Sequence, residues 1–272
     1  MSACGRLLAA LVAALLVPSC ASSPPATSLA VERRVIPVIG VAGCNAQAEL
    51  FKASGEDADF LVVFAHGLLR SREQHTDQAS AWASRGISIL LVDQCDEGWD
   101  AEGIDRYARA LNAAARASGA TRIVYAGYSA GGAVSRRALE RDPSAVGWLG
   151  LDPVGRSAAP SALPQRALFA PPQACNAMQA GLSLLSGKGP LLALQVKSAT
   201  HCHFESPTSR FCSFLCEGAA GDVDSAAIRG QVTGLATDYL LALKTGRAAN
   251  DEQWRAGATL QLLPARETAN RN

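Results

Sequence analysis

The chain has 272 residues, of which 49% are hydrophobic and 18% are charged, and its formal net charge is +1. A chain of this length and composition can bury the core of one large globular domain. A net charge near zero gives no electrostatic basis for binding nucleic acid, so we expect no nucleic-acid partner.

The first twenty residues have the pattern of an export signal. Arg6 supplies a positive charge, and the apolar run at 7–17 is shorter than the ~20 residues that span a bilayer. The run ends in Leu-Val-Pro-Ser-Cys at Cys20, which resembles a bacterial lipobox, whose cysteine becomes the lipidated first residue. An ordinary cleaved signal is the alternative. The sequence therefore predicts a signal peptide over 1–20, and either a lipid anchor at Cys20 in the bacterial cell envelope or secretion.

The remaining chain is predicted to form a Ser/Pro/Ala-rich tether (21–33), one domain (34–246) and a polar tail (247–272). Within the domain, most of the predicted strands are continuous apolar runs, which is typical of strands buried on both faces of a parallel sheet. Helical patterns alternate with them, so we predict an α/β fold with a mostly parallel central sheet and helices on both faces. We expect a long loop over 155–178. The predicted strands are 34–39, 60–65, 87–93, 122–127, 146–151 and 191–197, and the predicted helices are 74–85, 103–118, 130–141 and 223–244.

The motif Gly-Tyr-Ser-Ala-Gly at 127–131 follows a predicted strand and precedes a predicted helix. A nucleophile elbow requires this context, because the serine sits on a sharp strand-to-helix turn whose neighbours must be small. The helix N-terminus beneath the serine also stabilises developing negative charge. We therefore predict Ser129 as a nucleophile rather than a bystander in a turn.

A serine hydroxyl needs a base, and the chain offers four histidines, of which His201 and His203 follow Ser129. In chains with this elbow the order is Ser, then Asp or Glu, then His. His201 is the preferred base because it is nearer to the end of the last predicted strand. His203 is the alternative, and His66 is interpreted as structural.

The acid that orients the base is expected at a strand end between the nucleophile and the base. Asp152 ends the predicted strand 146–151 and can hold the imidazole tautomer. Asp142 caps the preceding helix and Glu205 lies very near the base in sequence, so both are weaker candidates.

Two backbone N–H groups are needed to bind an oxyanion. One is expected at Ala130, the residue after the nucleophile. The other is expected in the His-Gly loop after strand 60–65, where Gly67 allows close backbone approach and Leu68 is the predicted donor.

Cysteine usage fits an exported protein. Cys4 lies in the signal and Cys20 at the lipid site, which leaves six cysteines, an even number that favours disulfides in an oxidising compartment. The sequence does not choose among the 15 possible pairings. A zinc site around Cys202 and its flanking histidines is the rival interpretation, but no second ligand pair completes it. The disulfide candidates are Cys44, Cys95, Cys175, Cys202, Cys212 and Cys216.

With these residues in place, the chain resembles the α/β-hydrolase superfamily over residues 35–244. The Leu-Asp-Pro-Val stretch at 151–154 and the segment 201–216 are similar to the branch of chlorophyllases, platelet-activating-factor acetylhydrolase-like enzymes and cutinase-like polyester hydrolases. The resemblance implies a Ser129–Asp152–His201 triad but does not transfer a substrate. We predict a serine hydrolase that cleaves a small-molecule or lipid carboxylic ester. An amidase, peptidase or thioesterase, or a non-catalytic envelope protein, is the alternative. We predict no metal or organic cofactor, membrane contact through the lipid anchor, and a monomer.

Overall fold

The computed structural model describes residues 28–38, 40–55, 59–95, 98–217, 225–247 and 260–263. The predicted signal peptide with Cys20, and most of the predicted tether and tail, lie outside these residues. Within the described ranges, no helix is both long and apolar enough to cross a membrane.

The described residues contain nine strands that form one sheet in the order β1-β2-β4-β3-β5-β6-β7-β8-β9. The six strands from β4 to β8 along this order run parallel, whereas β1, β2 and β9 pair antiparallel at the two sides. The parallel centre places the carboxyl ends of its strands along one edge of the sheet. The strands are β1 (Val31–Pro37), β2 (Gln47–Ala53), β3 (Phe60–Ala65), β4 (Ser88–Val92), β5 (Arg122–Tyr128), β6 (Ala145–Leu151), β7 (Gln165–Phe169), β8 (Leu191–Val196) and β9 (Leu260–Leu263).

Helices cover both faces of this sheet, as predicted. Alternate residues of β3 point to opposite faces, so Val62 belongs to one hydrophobic core and Leu61 to the other. The first core contains α1 and α5, and the second contains α2 and α3. The helices are α1 (Thr76–Ala83), α2 (Ala101–Ser118), α3 (Gly131–Leu139), the single turn α4 (Arg210–Cys212) and α5 (Ser225–Thr245).

Helix ends follow local capping chemistry. The Asp100 carboxylate accepts a hydrogen bond from the Gly103 amide at 2.8 Å, so α2 begins at Ala101, two residues before its predicted start. Gly119, with φ of 76°, ends the same helix. The helices predicted at 74–85, 130–141 and 223–244 differ from α1, α3 and α5 by one or two residues at each end, which is the usual fraying of helix termini.

Four strands differ from the predictions: one predicted strand is placed differently, and three strands were not predicted. The predicted strand 34–39 is β1 at Val31–Pro37, a largely exposed antiparallel edge strand rather than a buried parallel one. β7 lies inside the predicted loop 155–178, and its polar residues concealed it. The polar residues Gln165 and Arg166 of β7 are both buried. Gln165 donates to the Ser186 carbonyl at 2.8 Å, and Arg166 stacks on the Tyr239 ring. β2 was not predicted because it alternates polar and apolar residues. β9 was not predicted because it is only four residues long and lies within the predicted tail.

Candidate active site

Ser129 lies on the sharp turn between β5 and α3 with φ of 53°. That left-handed backbone conformation is uncommon for a residue with a side chain and is characteristic of strained functional turns. Gly131 makes the turn possible, because a Cβ there would lie 2.3 Å from the Ala65 carbonyl oxygen. Ser129 thus lies on a tight strand-to-helix turn, with the end of β3 packed against the start of α3.

The structure brings Ser129, Asp152 and His201 together in one hydrogen-bonded line. The His201 Nε2 atom lies 3.0 Å from Ser129 Oγ, and Nδ1 lies 2.6 Å from Asp152 Oδ2. A neutral imidazole satisfies both contacts only when Nδ1 donates its proton to the carboxylate and Nε2 accepts from the hydroxyl. This tautomer leaves Nε2 free to take up the serine proton.

Asp152 is completely buried at the end of β6, and its second oxygen is also occupied. The Oδ1 atom accepts from the Ala170 amide at 3.0 Å and from Asn176 Nδ2 at 3.2 Å. These donors fix the carboxylate so that Oδ2 faces His201. Sequence reasoning missed Asn176, because it lies in the segment predicted as a loop, and no motif marks it.

The ring of Tyr128 supports the other side of His201. The two ring centroids are 4.8 Å apart, and the Tyr128 hydroxyl donates to the His201 carbonyl at 3.2 Å. Burial raises the pKa of Tyr128 well above its usual value, so the phenol stays neutral. Tyr128 therefore positions both the ring and the backbone of His201.

The predicted oxyanion donors lie beside the nucleophile. A Cβ on Gly67 would lie 2.9 Å from Ser129 Cβ, so the turn that carries Leu68 packs directly on the serine. Among the described residues, the amides of Leu68 and Ala130 donate no hydrogen bond to the protein. Both N–H groups are thus available to a ligand at this position.

The alternative histidines are engaged elsewhere. His66 Nε2 accepts from the Gln94 amide at 3.1 Å, and burial lowers the pKa of His66 to about 4, which keeps the ring neutral. His203 Nδ1 accepts from the Thr200 amide at 2.8 Å, and its Nε2 contacts Ser225 Oγ.

The alternative acids also have other partners. Asp142 accepts from the Tyr125 hydroxyl at 2.5 Å and from the Ser144 hydroxyl and amide. Glu205 forms a buried ion pair with Arg70. Asp152 is therefore the carboxylate that the structure places on His201.

All six predicted disulfide cysteines are paired: Cys44–Cys95, Cys175–Cys216 and Cys202–Cys212. The first pair joins the β1–β2 loop to the segment after β4, and the other two hold the segment after His201. The zinc interpretation required a Cys202 thiolate, which the disulfide removes. The sulfurs of Cys202, Cys212 and Cys216 lie within 4.8 Å of one another because two disulfides meet there.

A cleft of about 750 Å³ opens beside the candidate site. Ala130 lines the cleft, and so does the segment 154–159, which overlaps the start of the predicted loop 155–178. Apolar side chains of Trp99, Ile104, Ala133 and Leu184 line it, together with charged side chains such as Arg136. The lining of the cleft beside the candidate site is therefore mixed, with apolar and charged side chains.

No family model matches the sequence, and no curated protein matches it. Among solved structures, the fold is similar to a ferulic acid esterase from Streptomyces cinnamoneus, with a TM-score of 0.66 and 14% sequence identity. The match covers 88% of this chain and 98% of the esterase. At this identity the likeness concerns the fold and not the predicted branch of chlorophyllases, acetylhydrolases and cutinases, which stays a prediction. The sheet order, the helices on both faces and this likeness identify the chain as having the α/β-hydrolase fold.

Proposed function

We propose that the chain is a serine hydrolase that cleaves carboxylic esters through an acyl-enzyme. The observation that carries this proposal is the unbroken line of hydrogen bonds from Asp152 through His201 to Ser129, on an elbow with two unoccupied amides beside it. The esterase named as a structural neighbour supports an ester substrate.

In this mechanism, Ser129 Oγ attacks the ester carbonyl as His201 Nε2 takes its proton. Asp152 stabilises the imidazolium that forms and keeps its orientation. The amides of Leu68 and Ala130 bind the oxyanion of the tetrahedral intermediate. His201 then protonates the leaving alcohol, and a water molecule activated by His201 releases the acyl group and restores Ser129.

An apolar surface around the site supports a lipid or other apolar ester as the substrate. Of the nine large hydrophobic side chains exposed among the described residues, six lie in three segments linked to the site. One is the turn of Gly67 beside Ser129, one follows Asn176, which donates to Asp152, and one is joined through Cys212 to the residue after His201. Exposed apolar patches of this kind mark binding surfaces more often than chance exposure. We call these residues the apolar rim: Leu68, Leu69, Met178, Phe211, Phe214 and Leu215.

The location of the enzyme is also part of the proposal. Three disulfides support an oxidising compartment, which agrees with the export signal predicted at 1–20. We propose a monomer that is held at the bacterial cell envelope by a lipid on Cys20, or secreted.

Hydrolysis of p-nitrophenyl esters by purified protein tests the proposal. Ser129→Ala and His201→Ala should each lower kcat by up to ~10⁶-fold, whereas His203→Ala should keep most of it. With the apolar rim beside the site, kcat/KM should rise from acetate to octanoate esters. Full activity in Ser129→Ala would refute the proposal, and faster turnover of the matched anilide than of the ester would reassign the protein as an amidase.

A further inference from the structure

A buried ion pair connects the two sides of the proposed active site. The Arg70 guanidinium donates through Nε to Glu205, and the side chains of these residues are 6% and 0% exposed. Arg70 closes the turn 67–70, here called the oxyanion turn, which carries Leu68. Glu205 ends the short helical turn that begins at His201, here called the base turn (201–205). A single side-chain contact thus joins a proposed oxyanion donor to the proposed base.

Arg70 also holds the oxyanion turn in a strained shape. Its amide donates to the Gly67 carbonyl at 3.2 Å, and its Nη1 donates to the Leu69 carbonyl at 3.2 Å. Leu69 has φ of 56°, a left-handed conformation that costs a residue with a side chain roughly 1 kcal/mol. The direction of the Leu68 N–H bond depends on the shape of this turn. Arg70 stabilises that shape through both its backbone amide and its guanidinium.

Glu205 is itself firmly placed in the base turn. Its amide donates to the Cys202 carbonyl at 3.2 Å, and its second carboxylate oxygen accepts from the Ser209 amide at 2.9 Å. The disulfide from Cys202 to Cys212 anchors the same segment. Arg70 therefore bonds a carboxylate that is itself held in place. This bond fixes the position of the oxyanion turn relative to the segment that carries His201.

Stability alone does not account for such a pair. Taking two charges out of water costs several kcal/mol, and well-packed apolar residues of similar volume often stabilise a fold equally well or better. A buried pair that spans two loops does, however, fix their relative position. An amide misplaced by about 1 Å can cost a reaction about 100-fold.

We infer that Arg70 and Glu205 are positioning residues that hold the Leu68 amide in register with His201 and Ser129. Neither residue touches the reacting atoms, and both act through the turns they join. The inference rests on the proposed function, because it assigns Leu68 to oxyanion binding.

The test is the double variant Arg70→Met/Glu205→Leu, which removes both charges and so leaves no unpaired buried ion. We expect kcat for a p-nitrophenyl ester to fall about 10- to 100-fold while KM changes less than about threefold. Inhibition by an alkyl trifluoromethyl ketone, whose adduct needs the oxyanion donors, should weaken by the same factor. The melting temperature should change by only a few degrees.

A control pair of the same residue types joins the edge strand β1 to its neighbour β2, where the Arg33 and Glu49 side chains are 54% and 10% exposed. Arg33 pairs with Glu49 at 2.8 Å and stacks on Phe51, as Arg70 pairs with Glu205 and stacks on Phe211. Arg33→Met/Glu49→Leu should leave kcat and inhibition unchanged. A kcat within twofold of wild type in the Arg70/Glu205 variant, or an equal loss in the control, would overturn the inference.

Arg70→Lys keeps the charge and decides the question if the double variant does not fold. A lysine cannot bond both Glu205 and the Leu69 carbonyl with the fixed geometry of a guanidinium, so we expect an intermediate kcat at a wild-type melting temperature. Wild-type kcat in Arg70→Lys then overturns the inference. If the wild-type protein shows no ester turnover and no reaction with the ketone, the proposed function fails instead.

Discussion

Positive φ angles are distributed differently at the proposed site and in the rest of the described chain. Within the described ranges, all six residues with a side chain and a positive φ lie in segments that contain or contact the proposed triad: Leu69, Ser129, Asp152, Ala177, Met178 and Gln179. The turns elsewhere that need a positive φ use glycine: Gly40, Gly43, Gly55, Gly86, Gly119, Gly187 and Gly246.

The difference shows where the need for a particular side chain outweighs the cost of a strained backbone conformation. Glycine meets a positive φ without steric cost, whereas other residues pay roughly 1–2 kcal/mol. Ser129 and Asp152 cannot be glycine if they carry the proposed reaction, so the surrounding structure must hold them. The Ser129 carbonyl, for example, accepts from the amides of Gly132 and Val154, and its own amide donates to Leu151.

The first prediction concerns a glycine at which any side chain would collide with neighbouring backbone. In Gly131→Ala the new Cβ would meet the backbone oxygens of Ala65 and His66 at 2.3 and 2.4 Å. Because backbone cannot move aside cheaply, the free energy of unfolding should fall by at least ~3 kcal/mol in urea titrations, or the chain should not fold. Gly230→Ala in α5 has no atom within 4 Å and should instead stabilise by about 0.5–1 kcal/mol. Equal effects would contradict the close packing at the elbow.

Disulfides near and far from the site should separate stability from activity. Replacing Cys44 and Cys95 by serine opens a loop with a sequence separation of 51, and should cost about 4 kcal/mol without changing kcat. Replacing Cys202 and Cys212, separated by 10, should cost about 3 kcal/mol and also lower kcat, since this bond anchors the segment of His201. Urea titrations and ester kinetics measure both. An unchanged kcat in the second variant would show that other contacts suffice to hold His201.

Two buried histidines near the proposed site, His66 and His75, should make the stability of the fold sensitive to acid. Burial lowers the pKa of His66 to about 4 and that of His75 to about 3, against about 6.5 in an unfolded chain. The unfolded chain therefore binds more protons below pH 6.5, and the free energy of unfolding should fall by about 2 kcal/mol per histidine between pH 7 and 5. His66→Gln should remove about half of this loss in urea titrations at the two pH values. An unchanged loss would contradict the buried neutral state of His66.

The smallest effect tests backbone strain at the nucleophile itself. Ser129→Gly should be about 1 kcal/mol more stable than Ser129→Ala, because glycine relieves the positive φ and both variants lack the hydroxyl. At Gly119, where φ is 76° and no atom lies within 4 Å, Gly119→Ala should lose a similar amount. Equal stability of the two Ser129 variants, by thermal unfolding, would remove the basis of the comparison.

The sequence predicted five of the six parallel strands and the three residues of the proposed triad, because these follow from local patterns and from chain order. Long apolar runs mark buried strands, and small residues around Ser129 mark an elbow. β7 was missed because its buried Gln165 and Arg166 find their partners only in the folded protein. Asn176 and the Arg70–Glu205 pair were missed for the same reason, since each joins segments that no local pattern connects.

Covalent labelling of Ser129 tests the central claim most directly. The protein is incubated with a fluorophosphonate, and the labelled peptide is mapped by mass spectrometry. We predict a single adduct on Ser129 that forms at the wild-type rate in His203→Ala and is lost in His201→Ala, because His201 contacts the nucleophile and His203 contacts Ser225 instead. An adduct on another residue, or undiminished labelling of Ser129 in His201→Ala, would contradict the account.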